Sequence, residues 1–510
     1  MKKITKIFAS LSIVMLLGSC EKFEEFNTNP NVPSTVTPEL LATQILKDTY
    51  RFWNPNPTDF GTANLWAKHA VMLETNPNPY QYYYSYSPYG SFGGMQKLPT
   101  LNKMAQLAEG NLNESSYKGL AKFMKAWYGI GMTLDMGDVP YSEAGKLEEG
   151  IRTPKYDKQE DVFKQILVDL KDAEALFAAG KSFNGDIMFG GNPVKWRRLA
   201  NAVQLKVLNV LSKKATAENK ARFAEIVAAG NLLTEADNFQ LEYSENTNAN
   251  HPYYNGENRR IITALSDLVV NQLKSTKDRR LFYFAEPADA QIAAGLKDSE
   301  FDAYVGAPTQ ISAEVLAQNK AKGTYSLINK RYVAVKAGDP MIQFSYAEQC
   351  FIIAEAIEDG WLSGSSKDYY EKGVKAILTY IMKLPSATAA NLHGMAITQD
   401  YINNYFTGEA AFKTDGTKAD RIKQIITQRW LLDFFQGNSL FSYKTFLRTG
   451  YPEFPLDPAT SLNPDDNKVY PKRWKYPTSE LTTNADNYNK AVQEQYSGYD
   501  GINLSPWWLK

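Results

Sequence analysis

The chain has 510 residues, with 56 basic against 56 acidic side chains, so it has no net charge with which to recruit nucleic acid or an anionic lipid surface. Its two cysteines, Cys20 and Cys350, exclude a disulfide framework. Beyond residue 20 no apolar run approaches the roughly 18 residues that cross a bilayer, and the length suits two or three domains or one large helical array.

At the N-terminus Lys2, Lys3 and Lys6 precede an apolar stretch from Ile7 to Leu17, too short for a permanent span and suited to a signal peptide. It runs into Leu17-Gly18-Ser19-Cys20, which resembles the bacterial lipobox, where cleavage leaves a lipid-bearing cysteine as first mature residue. Residues 1–19 are therefore predicted to be removed and Cys20 to be lipidated. At roughly 0.8 kcal/mol per buried methylene, two or three acyl chains hold a protein on a membrane effectively permanently. Glu21, Glu24 and Glu25 resemble the acidic tag that sends some lipoproteins to the outer surface. Residues 20–36 are predicted to be a tether, because the prolines and asparagines from Phe26 to Pro33 cannot continue a helix. A single folded domain, residues 37–510, opens with Thr37 as N-cap and Pro38 at the first helical position.

Thr75 to Phe92, reading TNPNPYQYYYSYSPYGSF, joins turn formers to clustered tyrosines and is predicted to be a loop. Asp157 with Glu160 predicts a helix start, with Phe163, Ile166, Leu170, Ala173 and Phe177 on one face. Asn192-Pro193 opens another, with Trp196, Leu199, Ala200, Val203, Val207 and Leu211 aligned. A second tyrosine-bearing loop, Asn248 to Arg260, and a mixed stretch from 280 to 335 make residues 240–335 a loop-rich insertion. Ser345 and Glu348 form a capping box ahead of Ala347, Cys350, Phe351, Ala354 and Ile357, with Gly360 as a stop. Tyr370, Val374, Ile377, Leu378 and Ile381 supply the facing stripe, so 345–383 reads as a helix pair. Cys350 is then a small core residue. Further pairs are predicted at 117–178, 193–229 and 399–436, which together suggest a solenoid-like, mainly α core without a clean repeat consensus.

No catalytic constellation emerges. A glycosidase sets two carboxylates across one bond, and 56 acids supply many pairs by chance. His69, His251 and His393 are far apart and lack zinc-site spacing, and neither a nucleophile elbow nor a phosphate-binding glycine loop is present. No enzyme, cofactor or metal is predicted. Binding fits better: a sugar ring stacks its C–H face on a flat aromatic while amide and charged side chains take its hydroxyls. The candidate stackers are Tyr80, Tyr82, Tyr83, Tyr84, Tyr86, Tyr253 and Tyr254, with Trp53 and Trp66 behind them, and the polar partners are Asn76, Asn78, Asn255, Asn258 and Arg259. In an extended run Tyr82, Tyr84 and Tyr86 share a face while Tyr83 packs inward. The alternative is that these rings only stabilise long loops. Trp196 and Trp430 sit on helical stripes and are expected in the core, and Arg448 and Arg473 are expected to pair with acids of the tail.

One ordered set of motifs runs along nearly the whole chain. It comprises Cys20 with Asn27-Thr28-Asn29-Pro30, Gly137-Asp138-Val139-Pro140-Tyr141, Trp196-Arg197-Arg198-Leu199-Ala200-Asn201 and Tyr346-Ala347-Glu348. Gln428-Arg429-Trp430-Leu431, Arg473-Trp474-Lys475-Tyr476-Pro477 and the terminal Trp507-Trp508 complete it. The set is similar to the SusD/RagB family of outer-membrane nutrient-binding lipoproteins. The resemblance implies a scaffold of tetratricopeptide-like helix pairs carrying a loop-rich, irregular ligand-facing half. It implies a cell-surface protein anchored through Cys20 that captures glycan, or alternatively oligopeptide, as a lid over a SusC-like TonB-dependent transporter. A helical adaptor that binds no ligand is the reading from a different class.

Overall fold

The computed structural model describes residues 35–53, 60, 62–84, 88–436 and 439–510, with the side chains of 50–53 and 439 outside that description. The predicted signal peptide, Cys20 and the tether up to residue 34 also lie outside the described residues.

Helix α1 (Pro38–Trp53) starts where its residues predict. Pro38 needs no N–H partner, and the Leu40 N–H donates to Thr37 Oγ1 at 3.5 Å. Helices α2 (Leu98–Leu107) and α3 (Glu114–Met136) follow. Helix α4 (Gln159–Ala179) buries Phe163, Ile166, Leu170, Ala173 and Phe177 on one face, as their spacing requires. Its start differs from expectation, because the Asp157 carboxylate accepts the Ser142 N–H at 2.6 Å and the Ser142 hydroxyl at 2.8 Å instead of capping the helix. The Gln159 N–H is taken by Asp138 from the preceding turn, at 2.7 Å.

Helix α5 (Pro193–Val210) opens on Asn192, whose Oδ1 accepts the Val194 N–H at 3.0 Å, and α6 (Ala217–Ala229) opens on Thr216. The stretch expected to be loop-rich holds α7 (Asp267–Ser275), α8 (Ala313–Ala321) and several helical turns of four or five residues. Helix α9 (Tyr346–Glu358) starts on Ser345, whose hydroxyl accepts the Glu348 N–H at 3.1 Å. Only that half of the predicted capping box forms, because the Glu348 carboxylate turns inward onto Lys206 and Arg429, each at 3.0 Å. Helix α10 (Ser366–Met382) buries the predicted facing stripe and packs on α9. The pair expected at 399–436 is corrected. Residues 399–403 form one short turn, while Thr417 and Asp420 make the capping box that starts α11 (Lys418–Leu432). That helix packs against α9 and α12 (Ser439–Thr449), and α13 (Ala485–Tyr496) closes the chain's helical part.

The helices stack in sequence, α3 on α4, α4 on α5, α5 on α9 and α9 on α11. Only two short antiparallel strand pairs interrupt the helices among the described residues: β1 (Ala70–Met72) with β3 (Thr263–Leu265), and β2 (Phe239–Leu241) with β4 (Met341–Phe344). Two large apolar cores result. Trp196 sits in the first, against Phe123, Phe177 and Phe189, with its Nε1–H donating to Asp186 at 2.7 Å. Trp430 sits in the second. No helix among the described residues is long and apolar enough to cross a membrane.

Where α5, α9, α11 and α12 meet, charge is buried in place of hydrocarbon. Arg448 pairs with Glu355 of α9 at 2.5 and 3.0 Å, which corrects the expectation of a partner in the tail, while Arg473 does pair with Asp500 there, at 2.5 Å. The Asn209 amide oxygen accepts from both Arg429 and Arg448, at 2.9 and 3.3 Å. Burial disfavours the Glu355 charge, but Arg448 and then Arg429 outweigh it and hold the carboxyl below the usual range.

Cys350 is buried on the inner face of α9, and burial pushes its thiol up to about 12. The folded protein is therefore expected to resist a thiol-exchange reagent over a time in which the urea-denatured chain reacts fully. Rapid labelling without denaturant would contradict the placement of α9.

Candidate functional site

The strand pair β1/β3 frames the tyrosine-rich loops. Met72 lies opposite Thr263, and the Leu73 N–H donates to the Ile262 carbonyl at 2.8 Å. The chain leaving β1 (residues 73–84) and the chain entering β3 (residues 251–262) therefore emerge side by side at one end of the ribbon. Two segments far apart in sequence become neighbours.

In the first loop the Asn78 Oδ1 accepts the Tyr80 N–H at 3.2 Å and Pro79 starts a 3-10 turn over Pro79–Tyr82. The turn ends at Tyr83, in the left-handed region at φ +60. An extended run with alternating faces is thus corrected: a 3-10 turn places successive residues a third of a turn apart, and Tyr82 and Tyr83 both go inward. The Tyr82 hydroxyl donates to the Ile311 carbonyl at 2.8 Å, and the Tyr83 hydroxyl to the Pro455 carbonyl at 2.6 Å. Lys68 lies 3.7 Å from the Tyr83 ring centre and donates to the Gln81 carbonyl at 2.5 Å, and burial holds its pKa well below the usual lysine range. The Gln81 side chain in turn accepts the Met72 N–H at 2.8 Å, which fastens the loop to β1.

Beneath the loops the His69 pKa is pushed down to about 3 by burial, so the ring is neutral and its Nε2–H donates to the Trp430 carbonyl at 2.8 Å. The Trp430 Nε1–H donates back to Ala67 at 2.7 Å, and Trp66 is buried against Tyr443 and Trp474. This is scaffold, closed to any ligand.

The second loop turns on His251, whose pKa burial lowers to about 4 and whose Nδ1 accepts the Tyr253 N–H at 3.1 Å. Gly338, at φ +57, approaches so closely that a Cβ there would lie 2.5 Å from His251 Cγ. The Tyr253 ring is enclosed by Phe60 at 4.4 Å, His251 at 4.9 Å and Phe435 at 6.1 Å, and is 1% exposed. Tyr82, at 2%, and Tyr253 are buried, which corrects their reading as ligand stackers, since a stacking ring needs an accessible face. Tyr84 and Tyr254 are half-buried, and Asn76, Asn255 and Arg259 are exposed. Asn255 is held at φ +61, with its N–H donating to Val333 at 3.0 Å. Tyr86 and the Trp53 side chain lie outside the described residues.

Two further segments close on the first loop, one from within the 240–335 insertion and one, near Leu462, that the sequence reading did not single out. Gln310 donates to the Gln81 carbonyl at 3.0 Å, and the Leu462 N–H donates to the Tyr82 carbonyl at 2.8 Å. The Pro- and Asn-rich run from 452 to 467 was the available signal for the second of these. Among the described residues no three His, Cys, Asp or Glu side chains come together as metal ligands.

A family model described as starch-binding and associating with the outer membrane, SusD-like, matches residues 30–477. The chain belongs to the SusD-like family. A SusD homologue of Bacteroides fragilis is 36% identical, with a TM-score of 0.86 over 93% of this chain and 100% of its own. An outer-membrane protein of Bacteroides vulgatus, with a suggested part in nutrient binding, is 31% identical, with a TM-score of 0.82 over 93% and 100% of the two chains. A chitin-binding protein is 25% identical, with a TM-score of 0.70 over 92% and 99%. No curated protein matches the chain. SusD-like proteins are binding proteins of the outer membrane, and the stacked helices and irregular loop-bearing end are those of that fold.

Proposed function

We propose that this SusD-like protein captures glycan at the cell surface between its 73–84 and 251–262 loops. It then delivers the glycan, as a lid, to a SusC-like TonB-dependent barrel, while lipid on Cys20 holds it to the outer membrane. The observation that carries the reading is the β1/β3 pairing, which brings both loops out at one end. These loops carry the half-buried Tyr84 and Tyr254 together with the exposed Asn76, Asn255 and Arg259. An aromatic face flanked by amides and a cation meets the two demands of a sugar, its apolar face and its hydroxyls. The family's starch-binding description and the chitin-binding relative support glycan as the ligand class.

The test is a glycan and peptide array, followed by calorimetry with the glycan it identifies. Stacked rings contribute on the order of 0.5–1.5 kcal/mol each, so Tyr84→Ala with Tyr254→Ala is expected to weaken binding roughly five- to a hundredfold. The double variant should stay folded, because both residues are half-buried and lie outside the long helices. Unchanged affinity in the folded double variant would place the site elsewhere, and hits confined to peptides would overturn the glycan reading.

A further inference from the structure

Helices α4 and α6 both pack on α5 and leave a cleft of about 770 Å³ between them, within the range of about 300–1,000 Å³ usual for ligand sites. The glycan reading above makes no use of it. Phe163, Leu208 and Leu211 form an apolar floor, and the half-buried indole of Trp507 closes one end, 6.4 Å from the Phe163 ring. Trp507 is not a loose terminus. Its neighbour Trp508 is buried and donates its backbone N–H to Gln159 Oε1 at 3.1 Å, so the last turn of the chain is docked at the start of α4.

Charge on the rim is unevenly spent. Lys164 is paired with Glu160 at 2.8 Å and Arg222 with Glu225 at 3.0 Å. Lys171 and Lys214 line the same cleft with no carboxylate in ion-pair range among the described residues, and Lys214 Nζ lies 5.6 Å from the Trp507 ring centre. The remaining acid on the rim, Glu218, sits in the first turn of α6, where the helix N-terminus favours its charge. Lys214 thus stands beside the flat aromatic, and Lys171 lines the same cleft farther along α4. Lys171 is eight residues beyond Phe163 on α4, about 12 Å along the axis. A ligand that meets both lysines therefore carries at least two separated carboxylates on a chain with a stackable ring, which describes an oligomer of acidic sugars.

We propose that this cleft is a second glycan site, selective for uronate-bearing oligosaccharides, with Trp507 as the stacking platform and Lys171 and Lys214 as carboxylate partners. The proposal rests on the glycan-capture reading but not on the loop residues that serve it. Calorimetry on the mature lipoprotein in mild detergent tests it, with tetragalacturonic acid as probe and tetraglutamate and the neutral glycan identified by the array as comparisons. The acidic tetrasaccharide is expected to bind, to weaken as salt rises, and to lose roughly tenfold or more in affinity in Lys171→Glu/Lys214→Glu. Lys171 is exposed, Lys214 is half-buried, and neither has an ion pair to lose among the described residues, so that variant should stay folded and keep its affinity for the neutral glycan. Failure of tetragalacturonic acid to bind while the neutral glycan does, or equal binding by the charge-reversed variant, overturns the cleft assignment. Equal binding of tetraglutamate overturns its selectivity for sugar. If neither neutral nor acidic glycan binds, the parent reading has failed instead.

Discussion

Arg448→Ala is expected to destabilise the protein by about 3–5 kcal/mol, the usual cost of stranding one member of a buried ion pair. Glu355 is 1% exposed, and Arg448 meets both of its carboxylate oxygens, at 2.5 and 3.0 Å, with the Asn209 side chain as a neutral neighbour. The remaining cation, Arg429, is 3.8 Å away and already engages Glu348 and Asn209. Because the folded-state pKa of Glu355 is depressed, its contribution is present above the ordinary glutamate value of about 4.3 and is lost as pH falls through the lower folded value. In Arg448→Ala that contribution is gone at neutral pH, so the gap between variant and parent in urea melts should be widest near neutrality and shrink in acid. Replacing both partners with neutral side chains of similar size should cost less than the single change, since no charge is left buried. A deficit under about 1 kcal/mol at neutral pH would mean that the pair is not desolvated as the structure has it.

The second large effect is on location. On the proposed anchor, Cys20→Ala should move the protein from the membrane pellet to the soluble fraction and abolish incorporation of labelled fatty acid, because acyl chains supply nearly all of the binding energy. No helix among the described residues offers a second way across a bilayer. A variant that still pellets and still carries label would remove Cys20 as the lipid site. One that pellets without label would point to the transporter as a sufficient tether.

Both experiments bear on how much could be read before the fold was seen. The spans of α4, α5, α9 and α10 were legible because an apolar stripe at helical spacing is a local signal, reinforced in α5, α9 and α10 by a proline or a hydroxyl at the start. Burying that stripe is favourable whatever the partner. The turn at Pro79–Tyr82 was legible as well, since Asn78-Pro79 is a cap followed by a residue with its N–H removed, yet the tyrosines after it read more loudly as an extended face. Membership of the family rested on an order of motifs along the chain, again a property of sequence alone.

The choice of partners was not local. Whether Tyr82 and Tyr253 meet ligand or core depends on Ile311 and on Phe60 and Phe435, which reach them from segments almost two hundred residues away or more. Arg448 had 56 carboxylates to choose from, and Glu355 was selected only when α5, α9 and α12 closed around both. In the same way β1 meets β3, and α4 and α6 stand apart over α5 with Trp507 between their ends, as results of packing. The local pattern determined which residues were helical and which face turned inward, because backbone hydrogen bonds and side-chain period act within a few residues. Which polar groups were buried together, and which tyrosines stayed partly exposed, was decided by the tertiary structure, because desolvation depends on everything that packs above a residue.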